Sequence, residues 1–385
     1  MTSLSRELPV RPRIRASYHV IPMSDNRIQL RSGADAFILR GETVQALMQA
    51  LLPLLTGEHS VADILEKLDG THAPESIRNL LQTLSARRVI EDAAVMPPES
   101  VSKEEMDGYR PQLAYFSHYA ANPYEQQARL RQARVAVCGL GPLGMRVAAT
   151  LTCTGVGEIV GLDDRPVKQE DFQQGLLFAP EDLGRPRAEV FSTSAQSNQA
   201  ARRQGIAEPI SGPEYFVRHL EGMDYLAVCL ETPRPRLLQW VNQACLGHRL
   251  TWTWCALDGH EGTVGPTVIP RQLACWKCYD LRVKSNVDHY EEYLALDNYL
   301  HQTDPSEAGF GYLVPSLDLL AGLTALEIVK DLSGLTPPLT YGAQISVNLL
   351  TAAFDLHPVL KLPRCPVCGR ADEQGAMVRP FLEKA

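Results

Sequence analysis

Hydrophobic and polar positions fall into distinct regimes along the chain. Short alternating runs come first: residues 18–22, 27–31 and 36–40 predict strands, parted by the turn-formers Ser24-Asp25-Asn26 and Ser32-Gly33. Apolar residues then recur at helical spacing in 42–52, in 61–68 behind a Ser60 N-cap, and in 74–87 with a proline in the first turn. Residues 89–91 can close this region as a further strand. This mixture of strands and helices predicts a winged-helix-like α+β domain over residues 1–92. Residues 93–108 (AAVMPPESVSKEEMDG) are polar, hold a Pro-Pro and lack periodicity, which predicts a linker.

The pattern changes again from residue 109 onward. Residues 109–132 read as helix broken near Asn122-Pro123, because the residue before a proline is pushed out of the helical region. Residues 135–138 (VAVC) are a continuous apolar run of the length a buried parallel strand needs. Gly139, Gly141 and Gly144 follow at GxGxxG spacing, then a helix-like run, then a second apolar run ending at Asp163, 19 residues after the last glycine. A strand, glycine turn, helix and acid in that order is a phosphate-binding arrangement: the turn lets the backbone approach, the helix N-terminus supplies N–H donors, and the acid accepts a ribose hydroxyl. Residues 225–230 predict another buried strand, 237–245 the helix after it, and 314–332 a long apolar helix suited to a core or a subunit interface. The fold class predicted is α/β: a doubly wound nucleotide-binding-type domain over 109–385, preceded by the small module. Residues 283–312 are polar and end in Gly309-Phe310-Gly311-Tyr312, whose glycines can act as a hinge, so the segment is expected to be mobile.

Composition narrows the function. A net charge of −8, and a 74–87 helix without a dense basic face, argue against nucleic acid as partner. No apolar run reaches the roughly 18 residues of a membrane span, and the first residues lack a secretory signal's apolar core. Nine cysteines without a dense framework predict a reduced, cytoplasmic protein. Four of them form two CxxC pairs, Cys275/Cys278 and Cys365/Cys368, with 86 residues between. Four thiolates from two knuckles make a closed tetrahedral site, so structural zinc is expected there, tying the C-terminal segment to the α/β domain. Cys138, Cys153, Cys229, Cys245 and Cys255 are expected as buried small hydrophobes.

The glycine turn, the acid and the separated CxxC pairs together resemble the ubiquitin-activating-enzyme-like family, with its ThiF- and MoeB-type adenylating proteins, over roughly residues 110–370. GPTVIPRQLACWKC (265–278) is similar to that family's approach to its first zinc knuckle, and YRPQLAYFSHYAANPYEQQARLRQARVAVCGLGPLG (109–144) to microcin C-type peptide-adenylating enzymes. The N-terminal module, with PRIR at 12–15, resembles leader-peptide recognition domains, and VLKLPRCPVCG (359–369) the terminal knuckle of thiazole/oxazole cyclodehydratase partner proteins. By resemblance, Gly139, Gly141, Gly144, Asp163, Arg187 and Glu231 occupy nucleotide-site positions, with ATP and magnesium as the implied ligands. In the family the acid after the second strand is followed by another acid, then by an Asn-Leu-Asn-Arg-Gln run, a lysine and a magnesium-holding aspartate. Here those positions carry Arg165, Asp171-Phe172-Gln173-Gln174-Gly175, Arg187 and Glu231.

Loss of a cation that meets phosphate charge removes a large part of the catalytic stabilisation. The changes therefore imply a leader-binding component with a vestigial nucleotide site, presenting a precursor to a YcaO-type partner enzyme for azole formation. The alternative is an ATP-dependent enzyme that adenylates a carboxylate of a precursor peptide. In either case the leader is expected to add a strand beside Ala36, Phe37, Ile38 and Leu39, against the 74–87 helix. Relatives are typically homodimers, which is the expectation here.

Overall fold

The computed structural model describes residues 8–33, 35–98, 103–120, 122–169, 171, 178–193, 201–303 and 311–369. These fall into two compact units, residues 1–126 and 127–385.

In the first unit, β1 (Pro12–Ile14) pairs antiparallel with β5 (Ile90–Asp92), and β2 (His19–Met23), β3 (Arg27–Ser32) and β4 (Asp35–Arg40) form an antiparallel meander in that order. Helices α1 (Glu42–Leu51), α2 (Val61–Lys67) and α3 (Pro74–Ala86) lie between β4 and β5. Ser60 and Asp63 cap α2 reciprocally, each side chain taking the other's backbone N–H. The core gathers Ile28 and Leu30 of β3 with Met48, Leu51, Ile64, Ile77, Leu81 and Leu84 of the helices.

The stretch expected as linker is helical in its second half: α4 (Lys103–Gly108) buries Met106, and α5 (Arg110–Ser117) follows. Backbone carbonyls at the end of α5 are held by arginines of the module. Arg15 donates to the Ser117 carbonyl and Arg88 to that of His118 at 2.5 Å. Helix α6 (Pro123–Gln132) leads on into the second unit.

The second unit is built on an eight-stranded mixed sheet ordered β13-β12-β11-β10-β9-β6-β7-β8. Strands β6 (Arg134–Cys138), β7 (Glu158–Leu162), β8 (Arg202–Ile206), β9 (Tyr225–Leu230) and β10 (Thr251–Asp258) are parallel. Strands β11 (Glu261–Val264), β12 (Ala343–Asn348) and β13 (Ala353–Pro358) add an antiparallel half. All six residues of β9 are buried, as a strand covered on both faces requires. The helices are α7 (Pro142–Cys153), α8 (Arg187–Thr193), α9 (Pro213–His219), α10 (Pro235–His248), α11 (Trp276–Lys284), α12 (Tyr290–Gln302) and α13 (Val314–Ser333). The chain runs outward from β6 through β7 to β8, then returns to place β9 on the other side of β6. Ligand crevices in open α/β sheets lie at such a reversal, at the carboxyl ends of the strands.

The segment 283–312, expected to be mobile, holds a helix in its described part. Residues 290–302 form α12, anchored by Lys284 to Asp297 at 2.7 Å and by Arg236 to the His301 carbonyl at 3.1 Å. Residues 304–310, with Gly309 and Phe310, lie outside the described residues. Cys153 is exposed at the end of α7, against the expectation of burial, whereas Cys138, Cys229, Cys245 and Cys255 are buried.

Candidate functional site

The glycine turn sits at the reversal between β6 and β9. Gly139 has φ of +89°, and a Cβ there would lie 2.4 Å from the Cys229 carbonyl oxygen of β9. Gly144 lets α7 close on the turn, since its Cβ would lie 1.7 Å from the Gly139 carbonyl oxygen. Only glycine fits either place. Gly141 precedes α7 and has an ordinary φ, but its Cβ would lie 2.2 Å from Glu231 Oε2. What approaches this glycine is a carboxylate of the protein.

Glu231 follows the last residue of β9. Its Oε1 accepts the Leu143 N–H at 2.8 Å, in the first turn of α7. A helix N-terminus attracts anions through its unpaired N–H groups and dipole, and here Glu231 supplies the anion. Burial pushes the Glu231 carboxyl above the ordinary glutamate range, against the Leu143 N–H and the charges of Arg187 and Arg165.

Asp163 follows β7 and is buried. Its Oδ2 accepts the Leu140 N–H at 2.7 Å, and its Oδ1 the Arg165 N–H at 2.9 Å. The Arg165 side chain folds back onto the same carboxylate, Nε to Oδ1 at 3.3 Å and Nη2 to Oδ2 at 3.5 Å. Burial opposes ionisation of Asp163, but Arg165, Arg187 and the two N–H groups outweigh it and hold its carboxyl below the usual range.

Arg187 opens α8 and is 6% exposed; it makes a two-point ion pair with fully buried Asp171, Nε to Oδ2 at 2.8 Å and Nη2 to Oδ1 at 2.9 Å. Its third nitrogen stands 3.6 Å from Asp163 Oδ2. Asp171 Oδ2 also accepts the Lys168 N–H at 2.8 Å. The structure thus gathers Gly139, Gly141, Gly144, Asp163, Arg187 and Glu231 at one end of the sheet, and adds Arg165 and Asp171 as direct partners. Phe172, Gln173, Gln174 and Gly175 lie outside the described residues.

The four knuckle cysteines converge, with all four sulfurs within 4.8 Å of one another. Three of the edges are 3.9, 3.7 and 3.5 Å, from Cys275 to Cys278, Cys275 to Cys365 and Cys278 to Cys368. A tetrahedron with metal–sulfur bonds of about 2.3 Å has edges of about 3.8 Å. The Leu362 N–H points at Cys278 Sγ at 3.4 Å. The cluster can therefore hold a tetrahedral metal ion.

The residues expected to contact a leader, Ala36, Phe37, Ile38 and Leu39, are on β4, an edge of its three-stranded sheet. Phe37 and Leu39 pack on the module's core, and Arg87, after α3, lies over the Phe37 ring at 5.6 Å. Ala36 and Ile38 face the other way and are exposed. The expected groove residues therefore divide, two supporting the strand and two free for contact.

The model of the ThiF family matches residues 109–367, two thirds of the chain. The chain belongs to the ThiF family. A winged helix-turn-helix model matches residues 13–91. Among curated relatives, protein HesA of Leptolyngbya boryana is 24% identical over 246 residues, 64% of this chain and 80% of that protein. The sulfur carrier protein ThiS adenylyltransferase of Escherichia coli K12 is 26% identical over 247 residues, 63% of this chain and 88% of that protein. The crystal structure of E. coli MccB with ATP superposes with a TM-score of 0.71 at 19% identity, covering 93% of this chain and 99% of that one. MccB with AMPCPP and MccA gives a TM-score of 0.72 at 18% identity and the same coverage. At those identities the likeness is one of fold, and it extends across both units of this ThiF-family chain.

The glycines and Asp163 stood out by spacing, and Arg187 and Glu231 were placed by the family resemblance alone. Arg165 was visible only as a substitution; its turning back onto Asp163, and the reach of Glu231 to Leu143, depend on strands that meet in space. No helix among the described residues is long and apolar enough to cross a membrane.

Proposed function

We propose that this ThiF-family chain is the leader-binding component of a ribosomal-peptide modification system, presenting a precursor to a YcaO-type cyclodehydratase for thiazole or oxazole formation. One observation carries the reading. The groups at nucleotide-site positions are paired with one another: Asp163 with Arg165, Arg187 with Asp171, Glu231 with the Leu143 N–H. ATP would have to displace them, and breaking a buried ion pair costs about 3–5 kcal/mol. The edge strand β4, with outward Ala36 and Ile38 and inward Phe37 and Leu39, supports strand addition by a leader peptide. Zinc is the metal assigned to Cys275, Cys278, Cys365 and Cys368, since thiolate-only tetrahedral sites suit it; its role is to pin 359–369 to α11. A cytoplasmic homodimer completes the proposal, with exposed Leu319 and Leu326 of α13 available to an interface.

A second reading is adenylation of a precursor carboxylate, favoured by the fold shared with MccB in its ATP and MccA complexes and by relatives named adenylyltransferases. On that reading Glu231 and Asp163 would hold magnesium and ribose, and Arg187 would face the phosphates.

Equilibrium binding of ATP-magnesium to the full chain separates the two. No binding at millimolar nucleotide, with retained affinity for the precursor leader, is expected. Micromolar binding abolished by Asp163→Ala would overturn the leader-presenting reading in its non-catalytic form.

A further inference from the structure

A cavity of about 310 Å³ opens at the carboxyl ends of β9 and β10. That is the lower end of the range for small-ligand sites, about 300–1,000 Å³. Trp254 of β10 and Trp276 and Tyr279 of α11 form an aromatic wall, with the Trp254 and Tyr279 rings edge to face at 5.3 Å. Helix α12 covers the cavity with Tyr293, Leu296 and Leu300. The cover is fixed by Lys284, which bonds Asp280 of α11 at 3.0 Å and Asp297 of α12 at 2.7 Å. Leu230 and Thr232, on either side of Glu231, form the wall next to the glycine turn. The described lining is largely apolar; its charged groups are Arg234, Asp280 and Asp297, the last two held by Lys284, and Asp258 and Glu261. The paired cysteines, the buried arginine pairs and the β4 edge make no use of it.

Its mouth has a different character. Asp258 and Glu261 stand opposite each other across the β10–β11 hairpin, and both are exposed. Neither has an ion-pair partner among the described residues, so two like charges are held side by side, an arrangement that favours a cation between them. An apolar interior with an acidic mouth complements an apolar side chain flanked by a basic residue. The chain's net charge of −8 works in the same direction.

We propose that this cavity seats a large apolar side chain of a bound peptide, with a neighbouring lysine or arginine of that peptide at Asp258 and Glu261. The site would read the precursor by sequence at a place separate from β4. The proposal rests on the reading of the chain as peptide-binding, and its test is arranged so that the two can fail separately.

The probes are the capped pentapeptides SGLRS, SGGRS and SGLES, titrated into the full chain. Tryptophan fluorescence is the readout, since Trp254 and Trp276 line the cavity. Burial of one leucine side chain predicts that SGLRS binds about ten- to a hundredfold tighter than SGGRS. SGLES is expected to bind several-fold more weakly than SGLRS, by a margin that shrinks with added salt. Ala256→Phe, which fills the cavity, and Leu296→Asp, on exposed α12, should each abolish the leucine preference, and the second serves if the first disturbs folding. Equal binding of SGLRS and SGGRS, absence of saturable binding, or a preference untouched by both variants would overturn the proposal. Ile38→Asp should leave the pentapeptide preference intact; whether it removes leader affinity bears on the proposed function alone.

Discussion

Removing the Arg187 side chain is the sharpest test of how the buried charges are used. In Arg187→Met, Asp171 keeps the Lys168 N–H but loses both guanidinium bonds, of 2.8 and 2.9 Å, in a place where its side chain is fully buried. An uncompensated buried carboxylate costs about 3–5 kcal/mol. Asp163 loses only a 3.6 Å neighbour and keeps Arg165, so nearly all of the loss is assigned to Asp171. In Asp171→Asn/Arg187→Met the charge is gone while an oxygen remains for Lys168. The double variant should recover at least about 2 kcal/mol of the single variant's loss. Urea denaturation at pH 7, with an unchanged slope, measures all members of the cycle. Losses that add to within about 0.5 kcal/mol would refute a charge shared between these two residues, and would leave Arg187 available to an external anion.

Glu231→Gln is expected to raise stability at neutral pH. Burial, opposed by the Leu143 N–H and two arginines, leaves the folded carboxyl with a raised pKa, so the wild type loses stability as pH rises from the ordinary glutamate range through the folded value. The variant should flatten that slope in urea titrations between about pH 4.5 and 7, and an unchanged profile would count against the assignment. Cys368→Ser should lower bound zinc from about one per chain to near none, and lower the melting temperature as a chelator does; full metal content in the variant would exclude this cysteine as a ligand. Ile38→Asp should leave stability within about 1 kcal/mol, because the side chain faces outward, yet weaken leader binding at least tenfold in a polarisation assay. Phe37→Ala should instead destabilise, by about 1–2 kcal/mol for a half-buried ring; leader affinity unaffected by Ile38→Asp would remove β4 from the peptide site.

The strands and helices of residues 18–92 were legible because each has a clear period and a turn or cap at its ends. Those of residues 225–230 and 314–332 were legible for the same reason of pattern. Strand β1 was not, since Pro12, Arg13 and Ile14 are too few to alternate and become a strand only by pairing with β5. The antiparallel half of the sheet was hidden too. β11 is four residues with a glycine, and every residue of β13 is exposed, so no face repeats. In the site, spacing located the glycines and Asp163, while partner choice was settled by tertiary approach. Arg165 looked like the loss of an acid; its guanidinium neutralises the acid that remains. The cavity could not be anticipated, because Leu230, Trp254, Trp276 and Leu296 are scattered in sequence and meet only when α12 covers the strand ends.

The charge balance of the glycine-turn site bears on why its pattern persists. Asp163 and Asp171 face Arg165 and Arg187, two carboxylates against two guanidiniums, with the Glu231 carboxyl beside them. The cluster is therefore close to balanced before any ligand arrives. A triphosphate brings several negative charges, and a site prepared for it needs cations whose charge is not already matched. Magnesium would bring some, at the expense of the Glu231 bond to Leu143. The outer two glycines impose no such requirement for a nucleotide. Gly139 and Gly144 are fixed by carbonyl oxygens of the chain itself, and closing the chain on its own backbone is sufficient to require both whether or not ATP binds. A Cβ at Gly141 would meet only the end of the Glu231 side chain, which can turn away, so the middle glycine is the one whose place in the GxGxxG spacing folding alone does not explain.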